Sequence, residues 1–138
     1  MKNIYLDNAA AAPVDPRVRK EMDRGMKIYG NPSSFNDAGR QAAKELTGAR
    51  LKVARFLGAH PEEVIFTSSG SEANNLAING VAAAYGKKGS SIITAKIEHS
   101  SVLEPVKYLG GDGFGVIYAG NDGEGLVDME DLKKNISG

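Results

Sequence analysis

The stretch best suited to chemistry is a loop of small hydroxyl residues and one glycine, Thr67–Ser71. The run Glu63–Phe66 before it, with β-branched and aromatic side chains, predicts a buried strand, and the alanine-rich segment Leu76–Tyr85 after it predicts a helix. A loop that leads from a strand into a helix directs free backbone N–H groups at one point, where the helix dipole favours negative charge. The loop can therefore hold a phosphate group. The alternative is an ordinary capped helix, with Ser71 as N-cap and Glu72 in the first turn.

A histidine, His99, lies a few residues after the next predicted strand, Ile92–Thr94. Ligands of parallel sheets bind beyond the carboxyl ends of the strands, so the loop Lys96–His99 and the serine-rich loop are expected to converge. Imidazole exchanges protons near neutral pH, which makes His99 a candidate acid–base group. A lone histidine after a strand is more often structural, and His60 is interpreted only as a surface loop residue.

Composition excludes several functional classes. Seventeen basic residues balance seventeen acidic ones, so the net charge gives no support for a nucleic-acid or anionic-membrane partner. No apolar run approaches the roughly 20 residues of a membrane span, and the N-terminus lacks a signal-peptide core, so a cytoplasmic location is expected. The absence of cysteine excludes disulfides and thiolate chemistry within this sequence, and with two histidines no metal site is predicted.

Helices are predicted to dominate the first half of the chain. Asp15 and Pro16 begin one helix, whose apolar stripe recurs every three or four residues up to Gly30 and consists of Val18, Met22, Met26 and Tyr29. A turn-rich loop follows, and a long amphipathic helix is predicted over Arg40–Leu57, with Gly58 after its C-terminus.

Strands and helices alternate in the second half. After Ile92–Thr94 come a helix near Ser101–Leu109, a strand at Val116–Tyr118, a turn at Asp122–Gly125, and a short helix capped by Asp128. This alternation predicts an α/β layered domain with parallel strands.

Four sequence blocks, in this order, resemble the start of the cysteine desulfurases of the NifS/IscS type. They are Tyr5-Leu6-Asp7-Asn8-Ala9-Ala10, Gly30-Asn31-Pro32-Ser33-Ser34, Phe66-Thr67-Ser68-Ser69-Gly70-Ser71-Glu72-Ala73-Asn74-Asn75, and Glu98-His99. The resemblance implies a pyridoxal 5′-phosphate enzyme of the class V aminotransferases, with the aspartate-aminotransferase fold (fold type I). Residues 1–15 are then an N-terminal arm. Residues 16–138 are part of the large domain, a layered sheet with helices on both faces that is incomplete at its C-terminus.

The resemblance also implies roles for single residues. In the family, the loop matching Gly70 and Ser71 binds the cofactor phosphate, and the histidine matching His99 stacks on the pyridine ring and moves protons. The backbone at Ala9 and Ala10 resembles the segment that approaches the substrate amino acid, and Asn31 resembles a residue that shapes the pocket entrance.

The chain also departs from the family pattern. The family usually has a histidine where this chain has Asn36, and threonines where it has Ala11 and Ala12. The family's cofactor-binding lysine, the aspartate that pairs with the pyridinium nitrogen, the arginine that holds the substrate carboxylate and the nucleophilic cysteine all lie further along than residue 138.

The resulting hypothesis is the N-terminal part of a cysteine desulfurase, which removes sulfur from L-cysteine to give alanine and an enzyme persulfide for iron–sulfur cluster assembly. The expected partners are a second copy in a homodimer, a second polypeptide carrying the missing groups, and an iron–sulfur scaffold or other sulfur acceptor. The alternatives are a non-catalytic scaffold module and part of a related class V aminotransferase or selenocysteine lyase. As a partial domain, the chain is expected to leave the Val18, Met22 and Met26 stripe and the sheet edges in need of a partner surface.

Overall fold

The computed structural model describes residues 4–87 and 90–136, in two compact units, one up to Ile65 and one from Phe66 onward. Lys88 and Gly89, which follow the predicted third helix, lie outside the described residues. Within the described ranges, no helix combines the length and the apolarity that crossing a membrane requires.

The described part of the first unit contains two α-helices. Helix α1, Pro16–Gly25, begins where predicted, and the Asp15 carboxylate accepts a hydrogen bond from the backbone N–H of Arg17 at 2.7 Å. Helix α2, Asp37–Leu57, begins earlier than predicted because the Asn36 side chain accepts a hydrogen bond from the Gly39 N–H at 2.8 Å. It ends as predicted at Gly58, whose φ of 67° lies in the left-handed region that glycine adopts readily.

An exposed ion pair joins the two helices. Arg24 donates from its guanidinium to both carboxylate oxygens of Glu45, at 3.1 and 2.9 Å, and to Glu21 at 2.9 Å. These hydrogen bonds hold the pKa of Glu45 below its ordinary range. The two-pronged geometry orients α1 on α2, although exposure limits its contribution to stability.

The predicted extent of α1 was wrong. The helix ends at Gly25, and i→i+3 hydrogen bonds from Lys27 to Arg24 and from Ile28 to Gly25 tighten the chain after it. Glycine favours this ending because its backbone loses more entropy in a helix than that of any other residue. Met26 and Tyr29 therefore lie beyond the helix and do not extend its stripe.

The predicted strand at 63–66 was also wrong. Pro61–Glu63 form a short 3-10 helix, in which the Glu63 carboxylate accepts a hydrogen bond from the backbone N–H of His60 at 2.7 Å. Val64 is buried and its carbonyl accepts a hydrogen bond from the Arg50 guanidinium, whereas Ile65 is exposed. A strand needs a neighbouring ladder for its backbone groups, and no β-pairing partner for this segment is found in the described part of the chain.

The second unit contains the predicted parallel sheet. Helix α3 is Gly70–Tyr85, strand β1 is Ser91–Ala95, helix α4 is Ser100–Gly111, and strand β2 is Gly115–Ala119. The two strands pair in parallel, from Ser91 opposite Gly115 to Ala95 opposite Ala119, which confirms the predicted strand–helix–strand order. Small and branched side chains from both layers form the buried core of this unit: Ala82, Ala95, Val106, Leu109 and Ala119. Pro105 lies inside α4 and is buried.

A tight turn and a last helix follow the sheet. Asp122 accepts hydrogen bonds from the N–H groups of Glu124 and Leu126, both at 2.9 Å, which confirms the predicted turn. Helix α5, Met129–Ile136, is capped as predicted by the Asp128 carboxylate, which accepts from Glu130 and Asp131.

Both units expose apolar side chains. In the first unit Val18, Met22 and Met26 are more than half exposed. In the second unit an apolar groove of about 440 Å³ lies between α3 and the sheet, and Val81 and Phe114 are among its lining residues. This exposure agrees with the predicted uncovered surface, and the need for a partner surface stays a prediction.

Candidate functional site

The serine-rich loop leads into α3 with a different cap from the one predicted. Helix α3 begins at Gly70, and Ser69 is its N-cap, with the Ser69 hydroxyl accepting a hydrogen bond from the Glu72 N–H at 3.2 Å. The prediction of Ser71 as N-cap was therefore wrong. Thr67 donates its hydroxyl to the Ser69 carbonyl at 3.1 Å, which fixes the backbone just before the helix.

Glu72 closes one side of this loop. Its carboxylate accepts hydrogen bonds from both the backbone N–H and the hydroxyl of Ser68, each at 2.6 Å. The hydrogen bond from the Ser68 hydroxyl has the largest effect on the pKa of Glu72, and the bond from the Ser68 backbone N–H has the next largest. Both lower this pKa from its ordinary value of 4.5. The donors of Ser68 are thus already used and are not available to a ligand.

The lowered pKa of Glu72 gives a test of this arrangement. A carboxyl group whose pKa is lower in the folded state stabilises the fold fully above its unfolded value, near 4.5, and this stabilisation is lost as the pH falls through the folded value. We expect Glu72→Gln to lower the free energy of unfolding at pH 7 and to have less effect at pH 3. Urea unfolding at both values measures the difference.

Glu124→Gln is the matched control, because the Glu124 carboxylate makes no hydrogen bond within residues 4–87 and 90–136. Its effect on unfolding is expected to be small at either pH. An effect of Glu72→Gln that is the same at pH 7 and pH 3 would show that the carboxylate does not act through its charge.

The N–H groups that remain open at the start of α3 belong to Gly70 and Ser71. Among the described residues, neither N–H group has an acceptor, as expected for the first turn of a helix. Apart from its chain neighbours and the backbone of its own helix, no atom lies within 4 Å of the place where a Cβ on Gly70 would stand, so the space beside the Gly70 Cα is open. The hydroxyl of Ser71 stands beside the same turn. These donors can hold an anion at the positive end of a 16-residue helix.

His99 caps the other helix of the pair. It precedes Ser100, the first residue of α4, and its Nδ1 accepts a hydrogen bond from the backbone N–H of Ser101 at 3.1 Å. The Ser101 hydroxyl lies 2.8 Å from the same nitrogen. The ring is exposed, and its Nε2 has no hydrogen-bond partner in the described part of the chain.

A side-chain bridge brings the two helix starts together. Asn74, in the second turn of α3, donates from its amide Nδ2 to the Ser101 hydroxyl at 2.8 Å, and this bond is partly buried. The bridge joins the second turn of α3 to the first turn of α4. The predicted convergence of the loops Thr67–Ser71 and Lys96–His99 stays a prediction. Sequence reasoning gave Asn74 and Ser101 no role. The available signal was the serine two positions after a histidine at a helix start, a spacing typical of N-cap hydrogen bonding.

A groove of about 420 Å³ runs between the same two helices, with Ser71 among its lining residues. The asparagines of α3 line its wall, with Asn75 donating to the Ser71 carbonyl at 2.9 Å and Asn79 donating to the Asn75 side chain at 3.4 Å. The Asn79 Oδ1 is buried without a partner among the described atoms. Polar side chains thus extend from the start of α3 along the groove.

The predicted substrate residues lie in the first unit. Ala9 and Ala10 lie in a turn, where the N–H of Ala10 donates to the Asp7 carbonyl at 3.1 Å. The Asn31 side chain accepts a hydrogen bond from the Ser33 N–H at 2.9 Å and shapes the loop before α2. Both segments are exposed backbone turns, and their predicted roles at the substrate stay predictions.

The sequence matches the family described as Aminotransferase class-V over residues 4–138. The cysteine desulfurase IscS of Dictyoglomus turgidum is 46% identical over 134 residues, which are 96% of this chain and 34% of the relative. The chain spans about a third of the length of the curated relatives it matches.

Solved structures give the same assignment. A NifS-like protein matches with a TM-score of 0.84 and 42% identity, over 92% of this chain and 35% of the other. The apo structure of a cysteine desulfurase from Thermococcus onnurineus NA1 matches with a TM-score of 0.86 and 33% identity, over 98% and 34% of the two chains. These matches confirm the predicted α/β fold of type I. The match over residues 4–138 shows that the chain belongs to the class V aminotransferases, a family that uses pyridoxal 5′-phosphate.

Proposed function

We propose that this chain is the N-terminal part of a cysteine desulfurase and that it supplies the phosphate loop, Gly70 and Ser71, and the ring-stacking His99. The observation that carries the proposal is the hydrogen bond from Asn74 to Ser101 at 2.8 Å. This bond holds the start of α3, with its two open N–H groups, beside the start of α4, which His99 caps. A phosphate site and an imidazole next to each other suit a cofactor that has an anionic tail and a flat ring.

The start of α3 fits the phosphate of pyridoxal 5′-phosphate. A dianion gains from the N–H groups of Gly70 and Ser71, from the Ser71 hydroxyl and from the helix dipole. The open space beside the Gly70 Cα leaves room for a ligand to approach this turn. Glu72 carries a negative charge close by, but its carboxylate is turned back to Ser68 and leaves these donors uncovered.

His99 fits a role in stacking and proton transfer. Its Nδ1 is held by Ser101, so Nε2 is the nitrogen free to face a ligand. When bound, pyridoxal phosphate supplies an electron sink for bonds at the α-carbon of an amino acid. His99 would cover the ring and exchange protons with the bound substrate through Nε2. Ala9 and Ala10 would allow the substrate to approach the backbone, and Asn31 would limit the entrance.

The reaction proposed converts cysteine and one thiol into alanine and one persulfide, because the sulfur atom passes to the thiol. The sequence contains no cysteine, so the acceptor thiol comes from outside it. Transfer of that sulfur to an iron–sulfur scaffold and assembly as a homodimer, or with a second polypeptide, belong to the same proposal.

A hybrid enzyme tests the proposal. In it, this sequence replaces the matching third of the Dictyoglomus turgidum relative, and the rest of that relative supplies the remaining groups. We expect the hybrid to bind pyridoxal phosphate, with its visible absorbance band, and to release alanine and sulfide from cysteine when a reducing thiol is present. Ser71→Ala should weaken cofactor binding by about 10-fold to 100-fold, because it removes a hydrogen bond to a charged group.

Ser71→Thr is the matched control, because it keeps the hydroxyl and should keep the affinity. A hybrid that binds the cofactor equally well with and without the Ser71 hydroxyl contradicts the phosphate-loop assignment. Cofactor binding without any turnover supports the scaffold alternative. Preference for selenocysteine, or for amino transfer to an α-keto acid, assigns the chain to another activity of the family.

A further inference from the structure

We infer that Asn74 and Ser101 are positioning residues that fix the tautomer of His99, so that Nδ1 is unprotonated and Nε2 carries the proton presented to the ligand. The inference deepens the proposed function, since it concerns the histidine assigned there to proton transfer. It rests on three contacts of the second unit: Ser101 N–H to Nδ1, the Ser101 hydroxyl to Nδ1, and Asn74 to the Ser101 hydroxyl.

The backbone contact sets the direction of the network. The N–H of Ser101 is fixed by the first turn of α4, and it points at Nδ1 from 3.1 Å. A proton on Nδ1 would face this N–H, so a neutral ring must carry its proton on Nε2. The backbone amide inside the helix cannot turn away from such a conflict, so a proton on Nδ1 would require the imidazole ring to leave this position.

The Ser101 hydroxyl and Asn74 complete the same order. With Nδ1 unprotonated, the hydroxyl 2.8 Å away lowers its energy by donating its hydrogen to that nitrogen. The hydroxyl oxygen then has its lone pairs free to accept, and the Asn74 Nδ2 donates to it. The Asn74 amide thus donates to the Ser101 hydroxyl, and the Ser101 hydroxyl donates to Nδ1 of His99. The Asn74 bond is partly buried, so water competes with it less than at an exposed site.

The fixed tautomer determines which ring nitrogen of His99 can donate a hydrogen bond to the ligand. Nε2 becomes a hydrogen-bond donor toward the ligand when the ring is neutral, and Nδ1 is unavailable to it. A histidine without this support would present a mixture of donor and acceptor at Nε2. The tautomer is therefore set by two residues that are not expected to touch the cofactor.

Nitrogen NMR of the 138-residue chain tests the inference without any cofactor. The chain has two histidines, so a ¹⁵N spectrum of the imidazole rings contains two sets of signals, and His60→Gln assigns them. At about pH 9, above the ordinary titration range of histidine, the shifts distinguish protonated from unprotonated ring nitrogens. We expect His99 to show the Nε2–H tautomer almost alone.

Three variants separate positioning from packing. Ser101→Ala should raise the Nδ1–H to Nε2–H ratio about fivefold, because one net hydrogen bond to Nδ1 is lost. Ser101→Thr keeps the hydroxyl and should restore the original ratio. Ser100→Ala removes a neighbouring hydroxyl that makes no hydrogen bond to His99 in the described part of the chain, and it should leave the ratio unchanged.

Asn74→Asp should shift the ratio further than Ser101→Ala. The two side chains have the same shape, but a carboxylate accepts the Ser101 hydroxyl hydrogen, which turns the hydroxyl oxygen toward Nδ1 as an acceptor. A ratio that is the same in Ser101→Ala, Asn74→Asp and the unmodified chain overturns the inference. If the ratio changes as expected but replacement of His99 leaves the rate of the hybrid enzyme unchanged, the positioning is correct and the proposed function of His99 is wrong.

Discussion

Replacing His99 with asparagine in the hybrid enzyme is expected to lower kcat for cysteine about 10²-fold to 10⁴-fold, the range for loss of a general acid–base group. The asparagine oxygen can accept the hydrogen bond from the Ser101 N–H that Nδ1 accepts now, so α4 should keep its cap. The loss would then reflect missing proton transfer rather than a disturbed helix. Steady-state rates of alanine formation measure it, and circular dichroism checks the fold.

His60→Gln is the control for that prediction. His60 lies in the first unit, next to the 3-10 helix, and its replacement is expected to leave kcat unchanged. If His99→Asn retains nearly the full rate while still binding the cofactor, His99 has no acid–base role and the second unit contributes only a cofactor platform.

A second large effect is expected at a glycine of the first unit. A Cβ on Gly39 would stand 2.4 Å from the Ser34 carbonyl oxygen and 2.7 Å from that of Asn31, both of them backbone atoms. Gly39→Ala should therefore lower the free energy of unfolding by about 1–3 kcal/mol, as overpacking of a tight site does. Urea unfolding followed by circular dichroism gives the value.

Gly48→Ala, in the same helix, is the matched comparison. Apart from its chain neighbours and the backbone of its own helix, no atom lies within 4 Å of its Cβ position, so alanine should stabilise α2 by up to about 1 kcal/mol. Opposite signs for the two substitutions are the expected outcome. If Gly39→Ala lowers the free energy of unfolding no more than Gly48→Ala does, the loop carrying Asn31 moves aside without cost.

These two glycines illustrate the limit of sequence reasoning about this fold. Local chemistry predicted the features that depend on neighbours in sequence: the Asp15 cap with Pro16, the left-handed Gly58, and the Asp128 cap of α5. It could not distinguish Gly39 from Gly48, because the difference is the distance to a loop several residues away. For the same reason, Glu63–Phe66 was predicted as a strand from its β-branched and aromatic side chains, although a strand also requires a pairing partner.

At the candidate site, too, sequence reasoning found the features that depend on local sequence and missed those that depend on contacts between helices. The serine-rich loop and His99 were identified from residue types and from their order along the chain. The cap was assigned to Ser71 instead of Ser69 because every hydroxyl in that loop can cap a helix. The choice depends on the hydrogen bonds between the Glu72 carboxylate and Ser68, which the sequence does not reveal. Asn74 and Ser101 were missed because their contact joins two helices.

Pro105 lies one turn after Ser101 in α4, and this position has a mechanical consequence. Proline has no N–H, so the Ser101 carbonyl lacks the partner that a regular helix would give it. The side chain of Ser101 is tied to α3 through its hydrogen bond from Asn74. The first turn of α4, which lacks this backbone hydrogen bond, is thus held in part by a contact with another helix.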